Sequence, residues 1–177
     1  MAELSNPIKN QRGMSISSQQ YKGTGHTIKY MCELSREGQI SPKIRQYAES
    51  VIREIQPKDY MSEIAALYYD TCSTIRYTRD PAGAEYIQHP EVVLQNRAAD
   101  CDDIALYLNA LLKSLMMSVG NDTYFTTVGF TDSGEHSHVF LTVVEERSKQ
   151  RVVLDPVAGP KTKKMVSQVK SFRHHTT

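Results

Sequence analysis

The hydrophobic periodicity of the chain changes near its middle, and this change constrains the fold more than any other feature. Before residue 116, apolar residues recur at helical spacing; after residue 121, they form short runs rich in β-branched and aromatic residues. The runs "DTYFTTVGF", "SHVFLTVVEE" and "QRVVLDPV" are separated by turn-forming segments, so they predict an antiparallel meander. Helices followed by strands predict an α+β fold with the helices on one face of a sheet.

Several helices are predicted ahead of the meander. Ser41 is a suitable N-cap, and Pro42 a suitable first residue, for a helix that runs to about residue 55. A second apolar stripe over residues 62–75 includes Cys72, which favours core packing over chemistry for that cysteine. Shorter helices are predicted at 27–34, around Cys32, and at 90–96, with an irregular link between residues 76 and 90.

Length and charge limit the classes of protein. The 177 residues fit one domain, the net charge of +1 gives no reason to expect nucleic acid as a partner, and no apolar run could span a membrane. The first residues lack the apolar segment of a secretory signal, so we expect a cytoplasmic location. Three scattered cysteines are too few for a disulfide framework or a Cys-x-x-Cys metal site.

The two ends of the chain are polar. Residues 1–26 hold few large apolar groups and predict a flexible arm, because they cannot bury enough surface to offset the entropy of ordering. Residues 161–177 are predicted to be a basic tail. The folded domain is therefore expected over residues 27–160.

The stretch "NRAADCDDIALYLNALLKSLMM" places Cys101 among aspartates where a helix begins. An apolar stripe follows at helical spacing, formed by Ile104, Leu108, Leu111, Leu112 and Leu115. Asp100 is placed as N-cap, so Cys101 falls in the first turn, where free N–H groups and the helix dipole favour a thiolate. Asp100, Asp102 and Asp103 oppose this by raising the thiol pKa, so a base is needed.

Histidine and aspartate on the predicted strands supply the base and its orienting group. His136 and His138 lie two apart, on one face of the predicted strand, and His138 is the more firmly embedded. If the following hairpin pairs Val143 with Val152, Asp155 comes within two residues of His138. Cys101, His138 and Asp155 could then form a nucleophile, a base and an orienting carboxylate. One alternative is that each of the three residues has only a structural role. Another is a metal site, although its residues show no recognised ligand spacing: Asp102, Asp103, His136 and His138.

The ordered motifs "ADCDDIALYLNALLKSL", "HVFLTV" and "VVLDPV" resemble the transglutaminase-like superfamily of papain-fold cysteine enzymes, in its small bacterial and tailed-phage form. The resemblance covers residues 61–157. It implies a papain-like or transglutaminase-like fold, with the nucleophile on a central helix packed against an antiparallel sheet. It implies Cys101 as nucleophile, His138 as general base and acid, and Asp155 as orienting carboxylate.

The resemblance also suggests roles for neighbouring residues. Asp100 and Asp102 would support the turn that carries the nucleophile, and His136 would line the cleft. The candidates for completing an oxyanion hole with the Cys101 backbone N–H are Gln88, Gln95 and Tyr69. No cofactor is expected, and no calcium-loop spacing is present.

Two functions follow from the resemblance. The first is cysteine-dependent acyl transfer on peptide or isopeptide bonds of a protein or peptide substrate, with hydrolysis favoured over transamidation. The alternative is a structural or assembly protein of a phage virion that reuses the fold, with or without peptidase activity, its arms held by other virion proteins.

Overall fold

The computed structural model describes residues 8–9, 15–16, 24–80, 86–115, 122–145 and 148–177. In these ranges the helices are α1 (Thr24–Gln39), α2 (Pro42–Ile52), α3 (Tyr60–Thr74), α4 (Pro90–Asn96), α5 (Cys101–Leu115) and α6 (Thr162–Val166). The strands are β1 (Ile8–Lys9), β2 (Ser15–Ile16), β3 (Arg76–Tyr77), β4 (Ala98–Ala99), β5 (Asp122–Gly129), β6 (His138–Val144), β7 (Arg151–Leu154) and β8 (Ser171–Thr176). Most of the predicted arm, residues 1–26, lies outside the described residues.

One four-stranded antiparallel sheet has the strand order β7-β6-β5-β8. It contains the predicted meander, and Val143 pairs with Val152 as expected. Strand β8 was not predicted. It comes from residues 161–177, which hold α6 and this edge strand instead of the basic tail that their composition indicated. The edge strand pairs along β5, with Phe125 opposite His175.

Helix α5 lies at the centre of the fold, in contact with helices α1 to α4 and with strand β6. The predicted apolar stripe is buried, but so are the other faces of the helix, including Tyr107 and Asn109. The Asn109 amide N–H donates to the Ser35 hydroxyl on α1 at 2.6 Å, a hydrogen bond between two buried side chains. The helix is therefore buried on all sides and not along one stripe, because other helices cover the faces that the sheet leaves open.

Helix α2 begins where its sequence predicts. The Ser41 hydroxyl accepts the N–H of Ile44, which makes it the N-cap, and it also donates to the Glu91 carboxylate on α4 at 2.6 Å. The helix ends at Ile52, three residues earlier than the apolar pattern suggested. Gly38 allows α1 to approach its neighbours, since a Cβ there would lie 2.6 Å from Pro90 Cγ.

A short parallel pair, β3 with β4, holds the chain just ahead of α5. The N–H of Arg76 donates to the carbonyl of Arg97, and the N–H of Thr78 donates to the carbonyl of Ala99, at 2.9 and 2.8 Å. This pairing places the first residues of α5 beside the end of α3. Across the ranges given above, no helix combines the length and the apolar character needed to cross a bilayer.

Candidate active site

The carboxylate of Asp100 organises the first turn of α5. Its Oδ1 accepts the backbone N–H groups of Asp102 and Asp103 at 3.1 and 3.3 Å, and its carbonyl accepts the N–H of Ile104. The predicted N-cap is therefore confirmed. Because Asp100 caps the helix, Cys101 is its first helical residue.

His138 and Asp155 form a hydrogen-bonded pair at the ends of two neighbouring strands. His138 is the first residue of β6, Asp155 follows the last residue of β7, and His138 Nε2 lies 2.7 Å from Asp155 Oδ2. Asp155 is fully buried, and its Oδ1 accepts the N–H groups of Val157 and Ala158 at 3.1 and 3.0 Å. The turn after β7 thus fixes the carboxylate, and the carboxylate in turn fixes the imidazole.

Cys101 and His138 line one cavity of about 380 Å³. The other residues that line it are Thr27, Ile28, Asp100, Asp102, Thr127, His136, Ser137 and Val139. The backbone N–H of Val139, the residue after His138, lowers the pKa of the Cys101 thiol. Since His138 Nε2 is engaged by Asp155, Nδ1 is the nitrogen left to exchange a proton with the thiol.

The surroundings of Cys101 favour a protonated thiol. Burial raises the pKa of the Cys101 thiol well above its usual range, and the negative charges of Asp102 and then Asp100 raise it further. The thiol also donates to Asp102 Oδ1, 3.4 Å away, which stabilises the protonated form. The Val139 N–H and the position of Cys101 at the helix start both lower the thiol pKa. Burial and the two carboxylates have the larger effect, so the pKa is raised overall.

We expect Asp102→Asn to make Cys101 more reactive. The substitution removes the largest electrostatic cause of the raised thiol pKa and replaces the charged acceptor of the thiol proton with a neutral one, so the thiolate fraction at pH 7 increases. A less basic thiolate is also a weaker nucleophile, so the net gain in iodoacetamide alkylation should be about threefold for a pKa drop of ~1 unit.

Peptide mass spectrometry of the alkylated protein measures this rate for each cysteine. Asp132→Asn, in the exposed turn between β5 and β6, is the matched control and should leave the Cys101 rate unchanged. An unchanged or slower rate for Asp102→Asn would show that the Asp102 charge does not hold the thiol protonated.

Two oxyanion candidates, Gln88 and Gln95, do not line the cavity in the structure. The Gln88 amide donates to Asp103 Oδ2 at 2.7 Å and to the Ala98 carbonyl at 3.4 Å, so both of its N–H groups are engaged. Gln95 is exposed on α4, and Tyr69 on α3 is 68% exposed. Gln88 instead supports the fully buried Asp103, which also accepts its backbone N–H. No sequence signal pointed to this pairing, which joins residues 15 positions apart.

His136 lies in the loop before β6, not on the strand, and has its own partner. Its Nδ1 is 2.7 Å from the Thr127 hydroxyl, whereas His138 faces Asp155. Of the residues in the alternative metal site, Asp103 is held by Gln88, so the four side chains are not gathered around one point. In the part of the chain that the structure covers, no three His, Cys, Asp or Glu side chains are arranged to hold a metal ion.

No protein-family model matches the sequence. No curated protein matches it at a significant level. Solved structures do. A candidate cysteine protease from Cytophaga hutchinsonii aligns with 92% of this chain and 59% of its own, at a TM-score of 0.51 and 12% identity. A candidate protease from Parabacteroides distasonis aligns with 88% of this chain and 31% of its own, at a TM-score of 0.53 and 10% identity.

The chain shares the fold of these two proteins, one a candidate cysteine protease and the other a candidate protease. It spans less than two thirds of the length of either protein. The predicted fold, a central helix packed against an antiparallel sheet in the manner of papain-like enzymes, is thereby confirmed.

Proposed function

We propose that the chain is a cysteine hydrolase of the transglutaminase-like superfamily, which cleaves peptide or isopeptide bonds through Cys101, His138 and Asp155. The observation that carries the proposal is the 2.7 Å hydrogen bond from His138 to the buried Asp155, at the cavity that Cys101 also lines. A nucleophile beside a base that a third group orients is the common arrangement of enzymes that form acyl intermediates.

The chemistry begins with proton transfer from the Cys101 thiol to His138 Nδ1. The sulfur forms a bond to the carbonyl carbon, and the carbonyl electrons move onto oxygen to give a tetrahedral intermediate. Collapse of this intermediate breaks the C–N bond, and the imidazolium returns its proton to the departing amine. Water, deprotonated by His138, then attacks the thioester; the C–S bond breaks, the imidazolium returns the proton to the sulfur, and the carboxylic acid leaves the regenerated thiol.

The high pKa of the Cys101 thiol determines when its proton is transferred to His138. Because burial and two carboxylates favour the neutral thiol, a resting thiolate–imidazolium pair is disfavoured. The proton is therefore expected to leave as the sulfur attacks, with His138 acting as a general base. Asp155 supports this step because its carboxylate stabilises the positive charge that develops on the imidazole.

A burst assay with p-nitrophenyl acetate tests the proposal, because this simple ester needs no knowledge of the natural substrate. The protein should release p-nitrophenol in a burst that matches the enzyme concentration and should carry an acetyl group on Cys101 in peptide mass spectra. Cys101→Ser should lose the burst, whereas Cys72→Ser, a substitution on α3, should keep it. Absence of a burst, or acetylation at other residues alone, would overturn the proposal.

No step of this chemistry calls for a cofactor. A role as a structural protein of a phage virion stays a prediction from the sequence, and no contact in the described residues favours it over hydrolysis.

A further inference from the structure

A second histidine lines the Cys101 cavity, and a hydrogen-bond chain connects it to the edge strand β8. We propose that Thr127 and His175 hold His136 as a hydrogen-bond donor to the acyl oxygen of the substrate. The assignment of the acceptor rests on the proposed function. The hydrogen-bond chain itself rests on geometry alone, and a separate measurement tests it.

Three elements contribute to the chain. Thr127 lies on β5 and is 3% exposed, His136 precedes β6, and His175 lies on β8. The Thr127 hydroxyl oxygen is 2.7 Å from His136 Nδ1 and 3.1 Å from His175 Nε2. Thr127 is paired with Arg173 across the ladder, so His175 is its diagonal neighbour on the same face.

The proton count of this chain restricts both imidazoles. A hydroxyl group donates one hydrogen bond, so Thr127 can donate to only one of the two ring nitrogens. If both nitrogens donated to its oxygen instead, the hydroxyl proton would be left in a buried position with no further acceptor among the hydrogen bonds described, at a cost of about 1–3 kcal/mol. One ring must therefore donate to Thr127 and the other must accept from it.

Two arrangements satisfy this condition for neutral rings. In one, His175 Nε2–H donates to Thr127, Thr127 donates to His136 Nδ1, and His136 keeps its proton on Nε2. In the other, His136 Nδ1–H donates to Thr127, which donates to His175 Nε2, and both rings carry their proton on Nδ1. The two histidines thus share one tautomer in either arrangement.

The charge of the cavity selects between the two arrangements. Asp100 and Asp102 line the same cavity as His136, so a nitrogen lone pair directed into it would face negative charge. An N–H group there is favoured instead, which assigns the proton to Nε2 in both rings. Burial, with the positive charge of Arg173, lowers the pKa of His175 and keeps that ring neutral, as the chain requires.

The resulting His136 Nε2–H suits the negative oxygen of a tetrahedral intermediate. That oxygen needs donors in addition to the Cys101 backbone N–H, and Gln88 and Gln95 lie outside the cavity. The orientation of this donor is fixed because the Thr127 hydroxyl is hydrogen-bonded to the other ring nitrogen, Nδ1. Thr127 and His175 act through His136 and are positioning residues.

The chain offers a matched control in the adjacent residues. The Thr126 hydroxyl is 2.8 Å from His174 Nδ1 and 2.7 Å from the Thr142 hydroxyl, which forms a second threonine–histidine pair between the same two strands. Thr126 and His174 do not line the Cys101 cavity; they line a separate one of about 310 Å³. Thr126→Val removes an equivalent buried hydroxyl and should not affect His136.

Long-range ¹H–¹⁵N correlation spectra near pH 8 report the tautomer of each histidine. We expect Nε2–H in both His136 and His175, the same result in Thr127→Ser and Thr126→Val, and a mixture of tautomers at His136 in Thr127→Val. A proton on Nδ1 of His136, or different tautomers in the two rings, would overturn the proposal. So would Thr127→Val spectra identical to those of the unaltered protein.

The role toward the acyl oxygen is measured with p-nitrophenyl acetate. Thr127→Val and His175→Phe should slow acetylation of Cys101 about fivefold, while Thr127→Ser and Thr126→Val should retain the original rate. Equal rates in Thr127→Val and Thr126→Val would overturn this role. If the unaltered protein is not acetylated at all, the proposed function and the substrate contact both fail, while the spectra still decide whether the hydrogen-bond chain exists.

Discussion

His138→Ala is expected to lower the rate of Cys101 acetylation by p-nitrophenyl acetate about 1,000-fold at pH 7, within the range of general-base catalysis. The thiol is held protonated by burial and by the charges of Asp102 and Asp100, so it attacks slowly unless a base removes its proton. In the proposed triad that base is the His138 imidazole, and Asp155 fixes its orientation. The loss should be much smaller at pH 10, where hydroxide supplies the base.

His136→Ala is the informative comparison, and His26→Ala is the control. We expect about a tenfold loss for His136→Ala, because one donor to the oxyanion is removed while the base is retained. His26 is exposed on α1, and its replacement should not change the rate. Equal losses in the His136 and His138 variants would show that His138 is not the base. Thermal melts of all three variants separate a loss of fold from a loss of chemistry.

The second large effect concerns stability as a function of pH. Burial, together with the charge of Asp102, raises the pKa of Asp100 to about 7, and burial and Asp100 raise that of Asp103. A carboxyl group with a raised pKa in the folded state stabilises the fold fully below its unfolded pKa of ~3.9. That contribution is lost as the pH rises through the folded value, so Asp100 weakens the fold between about pH 4 and 7, and Asp103 acts in the same direction as the pH rises above about 4.

Asp100→Asn should remove much of this loss. Asparagine can still cap α5, since its side-chain oxygen accepts the same N–H groups, but it stays neutral at every pH. Relative to the unaltered protein, we expect Asp100→Asn to gain about 3 kcal/mol of unfolding free energy between pH 4.5 and 8, because one pKa unit corresponds to about 1.4 kcal/mol and most of the rise to about 7 lies in this range.

Urea unfolding at the two pH values measures this difference. Asp59→Asn, which alters the exposed N-cap of α3, is the matched control and should shift stability equally at both. If Asp100→Asn also shifts stability equally at both pH values, the Asp100 carboxyl does not titrate in this range.

Local sequence patterns were sufficient to predict the elements that carry the proposed triad. Helix α5 has an N-cap at Asp100 and a long apolar stripe, and β6 and β7 are rich in β-branched residues. The type of each element can therefore be predicted from its own sequence. The register between those two strands followed from the hairpin between them, and the pairing of Val143 with Val152 confirms it. That register brings Asp155 to His138.

Long-range contacts were harder to predict. Strand β8 reads "SFRHHT", which has few apolar residues, and it becomes a strand because β5 offers an edge to pair with. Without β8 there was no reason to connect His175 with Thr127. Gln88 is one of three oxyanion candidates in the sequence, and its partner Asp103 could be known only from the fold.

The pairing of Gln88 with Asp103 constrains how this sequence can diverge. The buried carboxylate accepts both the backbone N–H and the side-chain amide of Gln88, at 2.6 and 2.7 Å. Replacing either residue alone would leave a buried polar group without its partner, at a cost of about 1–3 kcal/mol. Neutral drift is therefore expected to change the two positions together. Among homologues, substitutions at residues 88 and 103 should covary more strongly than those at exposed positions such as Gln95 and Asn96.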